Sequence, residues 1–283
     1  MASFPPVCLT IGVSDSSGGA GIQADLKTFT ALQCYGASVV TGVTAQNFTS
    51  IQTMFAVPEQ YIRAQLDAIE SELAIDAVKV GLCPSAASMR VVARWLRERP
   101  KLHVLVDPVA ADSRGIALLQ PEVVEVLRAE LLPRATLATP NRFEAALLMN
   151  MDECLDIESM EAAAKGMLHT HGCATLVTGG NMGARSLDVL AAIDGLRHFD
   201  AETIIRSTKI HGVGCAHSAA IAANLAKGES LRESVLNAKA YVSAAIAAAP
   251  ELENGHAVFW HGVTVKEQVM ASDASGAQRI LPE

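Results

Sequence analysis

The chain has 283 residues, half of them apolar and 18% charged, with a formal net charge of −8. That balance belongs to a folded globular protein rather than a disordered one, and the negative charge argues against non-specific binding to nucleic acid or anionic membrane. Aromatic residues make up only 4% while Ala, Val, Leu and Ile dominate, a palette that suits helices on a buried parallel sheet better than a base-stacking platform.

No apolar run approaches the roughly 20 residues of a membrane helix. No Lys or Arg precedes Lys27, so the basic start of a signal peptide is missing and a cytoplasmic location is expected. Cys8, Cys34, Cys83, Cys154, Cys173 and Cys215 are scattered, without a C-x-x-C pair or zinc spacing. All but Cys215 read as small buried apolar residues.

Strand and helix patterns alternate along the chain. Val7–Val13 reads as a strand, followed by a Gly-rich loop and a helix from about Ile22 to Gln33. Ser38–Thr44 and Ile51–Val57 are strands, and Pro58 opens a helix reaching about Glu72. Ala77–Val80, Val104–Val106, Thr136–Thr139 and Ala174–Thr178 are short apolar runs suited to strands covered on both faces. Helical patterns lie between them, near Ser85–Arg97, Pro121–Leu131, Phe143–Met149 and Ser159–His171. Ser186–Ile193 and Arg197–Ile205 form a hairpin around Asp194-Gly195. An Ala-rich helix then runs to about Lys227, and another from about Ser230 to Ala249. The expected fold is one α/β domain over residues 1–262, with a polar tail over 263–283 that is expected to be poorly ordered.

Two turns carry chemistry. The first, Ser14 to Asp25, contains Gly19-x-Gly21-x-x-Ala24 after a strand and before a helix. This form fits a dinucleotide fingerprint, but no acidic residue falls between Asp25 and Glu59 to hold a ribose. The bland alternative is a close-packed turn without a ligand. The second turn is His211-Gly212-Val213-Gly214-Cys215-Ala216-His217-Ser218. Its glycines and the helix start behind them make an anion hole, and the same field favours a thiolate at Cys215. The alternatives there are a cysteine nucleophile, or a small Cys packed under a turn. No Walker A sequence is present, and no H-E-x-x-H zinc pattern.

The two turns lie about 190 residues apart. With Thr44-Ala45-Gln46-Asn47, Lys79-Val80-Gly81-Leu82, Asp107-Pro108-Val109, Thr139-Pro140-Asn141-Arg142-Phe143-Glu144-Ala145 and Val177-Thr178-Gly179-Gly180, the chain resembles the hydroxymethylpyrimidine/phosphomethylpyrimidine kinases of thiamine biosynthesis. The resemblance runs from about Leu9 to His256. It implies a ribokinase-like three-layer α/β fold with a mostly parallel central sheet, ATP and Mg2+ as cofactors, a small pyrimidine substrate and compatibility with a homodimer. It also implies roles. Gly12, Asp15, Ala20, Gln46 and Leu82 would line the pyrimidine pocket. Asp107 and Glu144 would hold Mg2+ directly or through water, with Asn141 nearby, and Thr178 and Gly180 would border the nucleotide phosphates. Gly212, Val213 and Gly214 would donate N–H groups to the transferring phosphoryl group, and Cys215 would act as general base.

The chain departs from that family's pattern at Val213, usually Thr or Ala, at Ala216, commonly Thr, and over residues 110–115. Thr178 stands where many members have Lys, and it also occurs in bifunctional relatives that phosphorylate pyridoxal. The competing expectations are a pyridoxal-type kinase and a non-catalytic vitamer-binding homologue. A cysteine hydrolase finds no Asn or Asp context to complete it.

Overall fold

The computed structural model describes residues 4–111, 115–182, 185–202, 210–253, 255–263, 270–272 and 278–280. Its centre is a run of short parallel strands: β1 (Val7–Asp15), β2 (Tyr35–Gln46), β4 (Ala77–Val80), β5 (His103–Val106), β6 (Leu137–Ala138) and β7 (Ala174–Met182), with β3 (Ile51–Ala56) antiparallel to β2. Strands β8 (Arg185–Ala192) and β9 (Gly195–Glu202) extend it as an antiparallel hairpin. The spatial order is β3-β2-β1-β4-β5-β6-β7-β8-β9. Two tail segments, Met270–Ser272 and Gln278–Ile280, add strands beyond β9.

The apolar strands lack a polar side because both faces are covered. Leu9, Ile11, Val78, Val80, Val104 and Val106 pack under helices α2 (Glu59–Glu70) and α3 (Ala86–Arg97), around Ile62, Leu66 and Trp95. Alternate residues of the same strands, Cys8 and Leu105, point to the opposite face with Leu137. There they meet two helices: α7 (Val213–Ala226) and α8 (Leu231–Ala247). Ala216, Ala219, Ala220, Ala222 and Ala223 are all fully buried. Small side chains let α7 lie close between the sheet, α8 and α1 (Gly21–Ala31). The result is a three-layer α/β fold.

Most expected elements are present. Pro58 stands just before α2 as its cap residue, because its fixed φ suits the chain entering a helix. The Asp194-Gly195 turn joins β8 and β9, with Gly195 at φ +118°; residues 203–205 of the expected second hairpin strand lie outside the described residues. The helix expected over Pro121–Leu131 is α-helical only to Val126. It widens to a π turn over Leu127–Leu131 and tightens to a 3₁₀ turn over Leu132–Arg134, where Pro133 withholds the amide the ladder needs. The first five cysteines are buried and all six are free. No described helix is long and apolar enough to cross a membrane.

His261 shows how tightly the α8 layer is closed. Its ring lies 4.8 Å from that of Phe259, its carbonyl accepts from the Tyr241 hydroxyl, and its Nε2 has no hydrogen-bond partner among the described residues. Burial, aided by the Lys27 charge, pushes the imidazole down from 6.5 to about 4. The folded state therefore binds this proton later than the unfolded chain does. The stability it contributes is complete above about pH 6.5 and is lost as pH falls to about 4. Urea titrations of wild-type and His261→Phe between pH 7 and 4 should show the variant losing about 3 kcal/mol less over that range. Parallel losses in the two proteins would contradict this assignment.

Candidate active site

The C-terminal ends of β1, β4, β5, β6 and β7 open along one edge of the sheet, where ligands bind in open α/β folds. Strand β1 ends in Asp15, which is 1% exposed. Its carboxylate accepts from the Ser17 amide and hydroxyl, from the Ala20 amide and from His211 Nε2. Burial opposes its ionisation, but these hydrogen bonds outweigh it and hold the carboxyl down to about 2. Asp15 thus winds the first turn around itself. Ala20 caps α1 without a side-chain hydrogen bond.

The second turn rests directly on the first. Gly212 caps α7 at φ +87°, and a Cβ there would lie 1.7 Å from the Gly19 carbonyl oxygen, so only glycine fits. A Cβ at Gly214 would meet nothing within 4 Å. The first amides of α7, at Val213 and Gly214, lie at the positive end of a helix. Ala216 is buried in the α7–α8 core, so that departure from the family pattern is a packing change beneath the cleft. Gln46, at the end of β2, reaches the turn and lies 2.9 Å from His211. Gly12 leaves a narrow space: a Cβ would stand 3.6 Å from Ile22 and 3.9 Å from Gly81. Leu82 is 5% exposed and its carbonyl accepts from Thr41.

Beneath both turns lies a charge cluster. Lys79, in β4, is 1% exposed and donates to both oxygens of Asp25 at 3.0 Å; Asp107 Oδ2 is 3.7 Å away. Thr10 also donates to Asp25. Burial alone would drive the proton off Lys79, but Asp25 and Asp107 reverse this and hold the ammonium above its usual range. Cys215 departs from expectation. The helix start was expected to favour a thiolate, yet burial pushes the thiol up to about 12. Lys79 and the Gly21 amide pull it down, while Asp107 and Asp25 push it up.

The remaining expected residues gather beside Asp107. Ser218 donates to Asp107 Oδ2 at 2.9 Å. Helix α5 (Arg142–Met149) starts in a capping box of Asn141 and Glu144. Glu144 is buried and accepts from the amides of Ala110, Ala111 and Asn141. Burial, then repulsion from Asp107, pushes its carboxyl up to about 8. Thr178 pairs with Asn141 and donates its amide to Pro140; Gly180 falls where the β7–β8 register shifts. Among the described residues no three or more His, Cys, Asp or Glu side chains form a metal-holding group. Mg2+ needs only one or two protein carboxylates beside phosphates and water, and Asp107 with Glu144 supplies that number. The departures expected at Asp112 and Arg114 lie outside the described residues.

Lys79, Asp25, His211 and Ser218 were not singled out as site residues on the sequence. A lysine inside a four-residue strand expected to be covered on both faces was the available signal for the first. Removing one partner of a buried pair costs about 3–5 kcal/mol. Lys79→Met should therefore destabilise the protein by about that amount in urea unfolding, and Lys79→Met with Asp25→Leu should recover part of the loss. A loss under about 1 kcal/mol in the single variant would show that the pair holds nothing together.

Residues 15–260 match the family model described as Phosphomethylpyrimidine kinase. A hydroxymethylpyrimidine/phosphomethylpyrimidine kinase of Rhizobium meliloti is 43% identical, over 88% of this chain and 93% of that protein. A pyridoxine kinase of Bacillus subtilis is 38% identical over 84% and 89% of the two chains. The crystal structure of an ADP complex of Bacillus subtilis pyridoxal kinase superimposes with a TM-score of 0.83 at 36% identity, covering 91% of this chain and 97% of that one. These matches span the turns, the charge cluster and the ribokinase-like sheet alike: the chain belongs to the phosphomethylpyrimidine kinase family of phosphotransferases.

Proposed function

We propose that this protein transfers the γ-phosphoryl group of ATP to the hydroxymethyl group of 4-amino-5-hydroxymethyl-2-methylpyrimidine and to the phosphate of the resulting monophosphate, with residues 1–262 as the catalytic domain. The observation that carries this reading is the contact between the two Gly-rich turns at Gly19 and Gly212, in a chain of this family. Gly12, Ala20 and Gln46 would border the pyrimidine ring, beside the first turn of α7.

Catalysis in such a site rests on positioning and charge stabilisation. The N–H groups of Gly212, Val213 and Gly214 would face the transferring phosphoryl group, where they stabilise charge as it spreads over its oxygens. Asp107 and Glu144 would hold Mg2+, with Asn141 alongside, and Thr178 and Gly180 would border the nucleotide phosphates. Bound Mg2+ would offset the negative charge of those phosphates. Cys215 would receive the hydroxyl proton. Because burial raises the thiol, its own proton would first pass to solvent, a loss that Lys79 and the Gly21 amide favour.

The two acceptors differ in their need for a base. An alcohol must lose a proton, whereas a phosphate monoester is already anionic. Cys215→Ala should lower the rate of the first transfer by about 10²-fold or more and that of the second by much less, read by coupled ADP release. Equal losses would remove Cys215 from proton transfer. The second reading is a pyridoxal-type kinase, favoured by Thr178 and by the similarity to the pyridoxine and pyridoxal kinases. ADP release that is faster with pyridoxal than with either pyrimidine would replace the first reading by the second.

A further inference from the structure

We infer that His211 is a positioning residue that fixes which way the Gln46 amide faces, and so sets the hydrogen-bonding edge the pocket offers to its substrate. This rests on the reading of Gln46 as a pyrimidine contact. Four atoms around the amide carry the argument. Gln46 Nε2 lies 2.9 Å from His211 Nε2, and Gln46 Oε1 lies 3.2 Å from the Thr44 hydroxyl. His211 Nε2 is also 3.2 Å from Asp15 Oδ2, and the Thr44 hydroxyl is 3.0 Å from the Ser14 carbonyl.

Counting protons makes this arrangement inconsistent in two places. Asp15 is a carboxylate held down to about 2 and can only accept, so His211 Nε2 must carry the hydrogen. A ring nitrogen that carries hydrogen cannot also accept from an amide N–H. The Ser14 carbonyl likewise only accepts, so it takes the single Thr44 proton and leaves Thr44 as an acceptor. Exchanging the amide oxygen and nitrogen of Gln46 resolves both conflicts at the same atomic positions. His211 then donates to Asp15 and Gln46 Oε1 together, and Gln46 Nε2 donates to Thr44.

The ring is not free to release this constraint. Phe48 stands edge-on to His211, with centroids 6.3 Å apart at 81°. A Cβ on Gly19 would lie 2.9 Å from His211 Cδ2 and 3.0 Å from Phe48. Wedged there, His211 passes the fixed charge of Asp15 on to the Gln46 amide as a fixed orientation. One N–H and one lone pair of Gln46 then remain, in a defined order. Together they match the adjacent ring nitrogen and exocyclic amino group of an aminopyrimidine.

The test compares kcat and KM for 4-amino-5-hydroxymethyl-2-methylpyrimidine and for its analogue with hydrogen in place of the amino group. Wild-type protein should prefer the amino compound. His211→Leu should reduce that preference about tenfold, mainly through KM, because the amide can then rotate. His211→Gln places an amide N–H near the position of Nε2–H and should restore the preference to within about threefold. Equal losses for both substrates in His211→Leu, or a folded His211→Gln without restored preference, would overturn the inference. Wild-type protein without any preference would instead overturn the pyrimidine assignment of Gln46, and this inference with it.

Discussion

A lysine ammonium shut away from water governs this architecture. Lys79 sits in the central strand β4 with Asp25 of α1 on one side and Asp107 after β5 on the other. A buried charge is tolerated only where partners and hydrogen bonds satisfy it, so the three elements that supply them are held in register. The same ammonium lies beneath Cys215 and is one of two influences that lower its thiol. The cluster that holds the sheet to its helices is thus also the electrostatic floor of the site.

Above that floor the two Gly-rich turns divide the work. The first is wound around Asp15, whose hydrogen bonds reach Ser17, Ala20 and His211. The second begins α7 against the Gly19 carbonyl. Each turn alone is an ordinary helix start. In contact they bring the first turn of α7 beside the hydrogen-bonded pair of Gln46 and His211. The carboxyl groups of Asp107 and Glu144 stand to one side, close enough that the charge of Asp107 raises Glu144.

Much of this was legible before any coordinates. The apolar runs Ala77–Val80 and Val104–Val106 have no polar side, which implied strands covered twice, and the helices of both faces cover them. The Asp194-Gly195 dipeptide placed the β8–β9 hairpin, and the ordered motifs pointed to the family. What local sequence could not carry was the outcome of competing long-range terms. The helix start at Cys215 argued for a thiolate, but burial against the sheet outweighs it. Gln46 and His211 are 165 residues apart, so their contact has no local signature. Ala216, a departure from the family pattern, faces the core, because α7 turns that side toward the sheet.

The central claim is that burial raises the Cys215 thiol above its ordinary range while Lys79 pulls it back down. It is tested most directly by the rate of Cys215 alkylation with iodoacetamide across pH 6 to 10, followed by mass spectrometry on the folded protein. A rate that keeps rising with pH, at least about tenfold below that of a free thiol at pH 8, agrees with the account. A plateau below pH 8 would mean a thiolate already formed at rest and would contradict it.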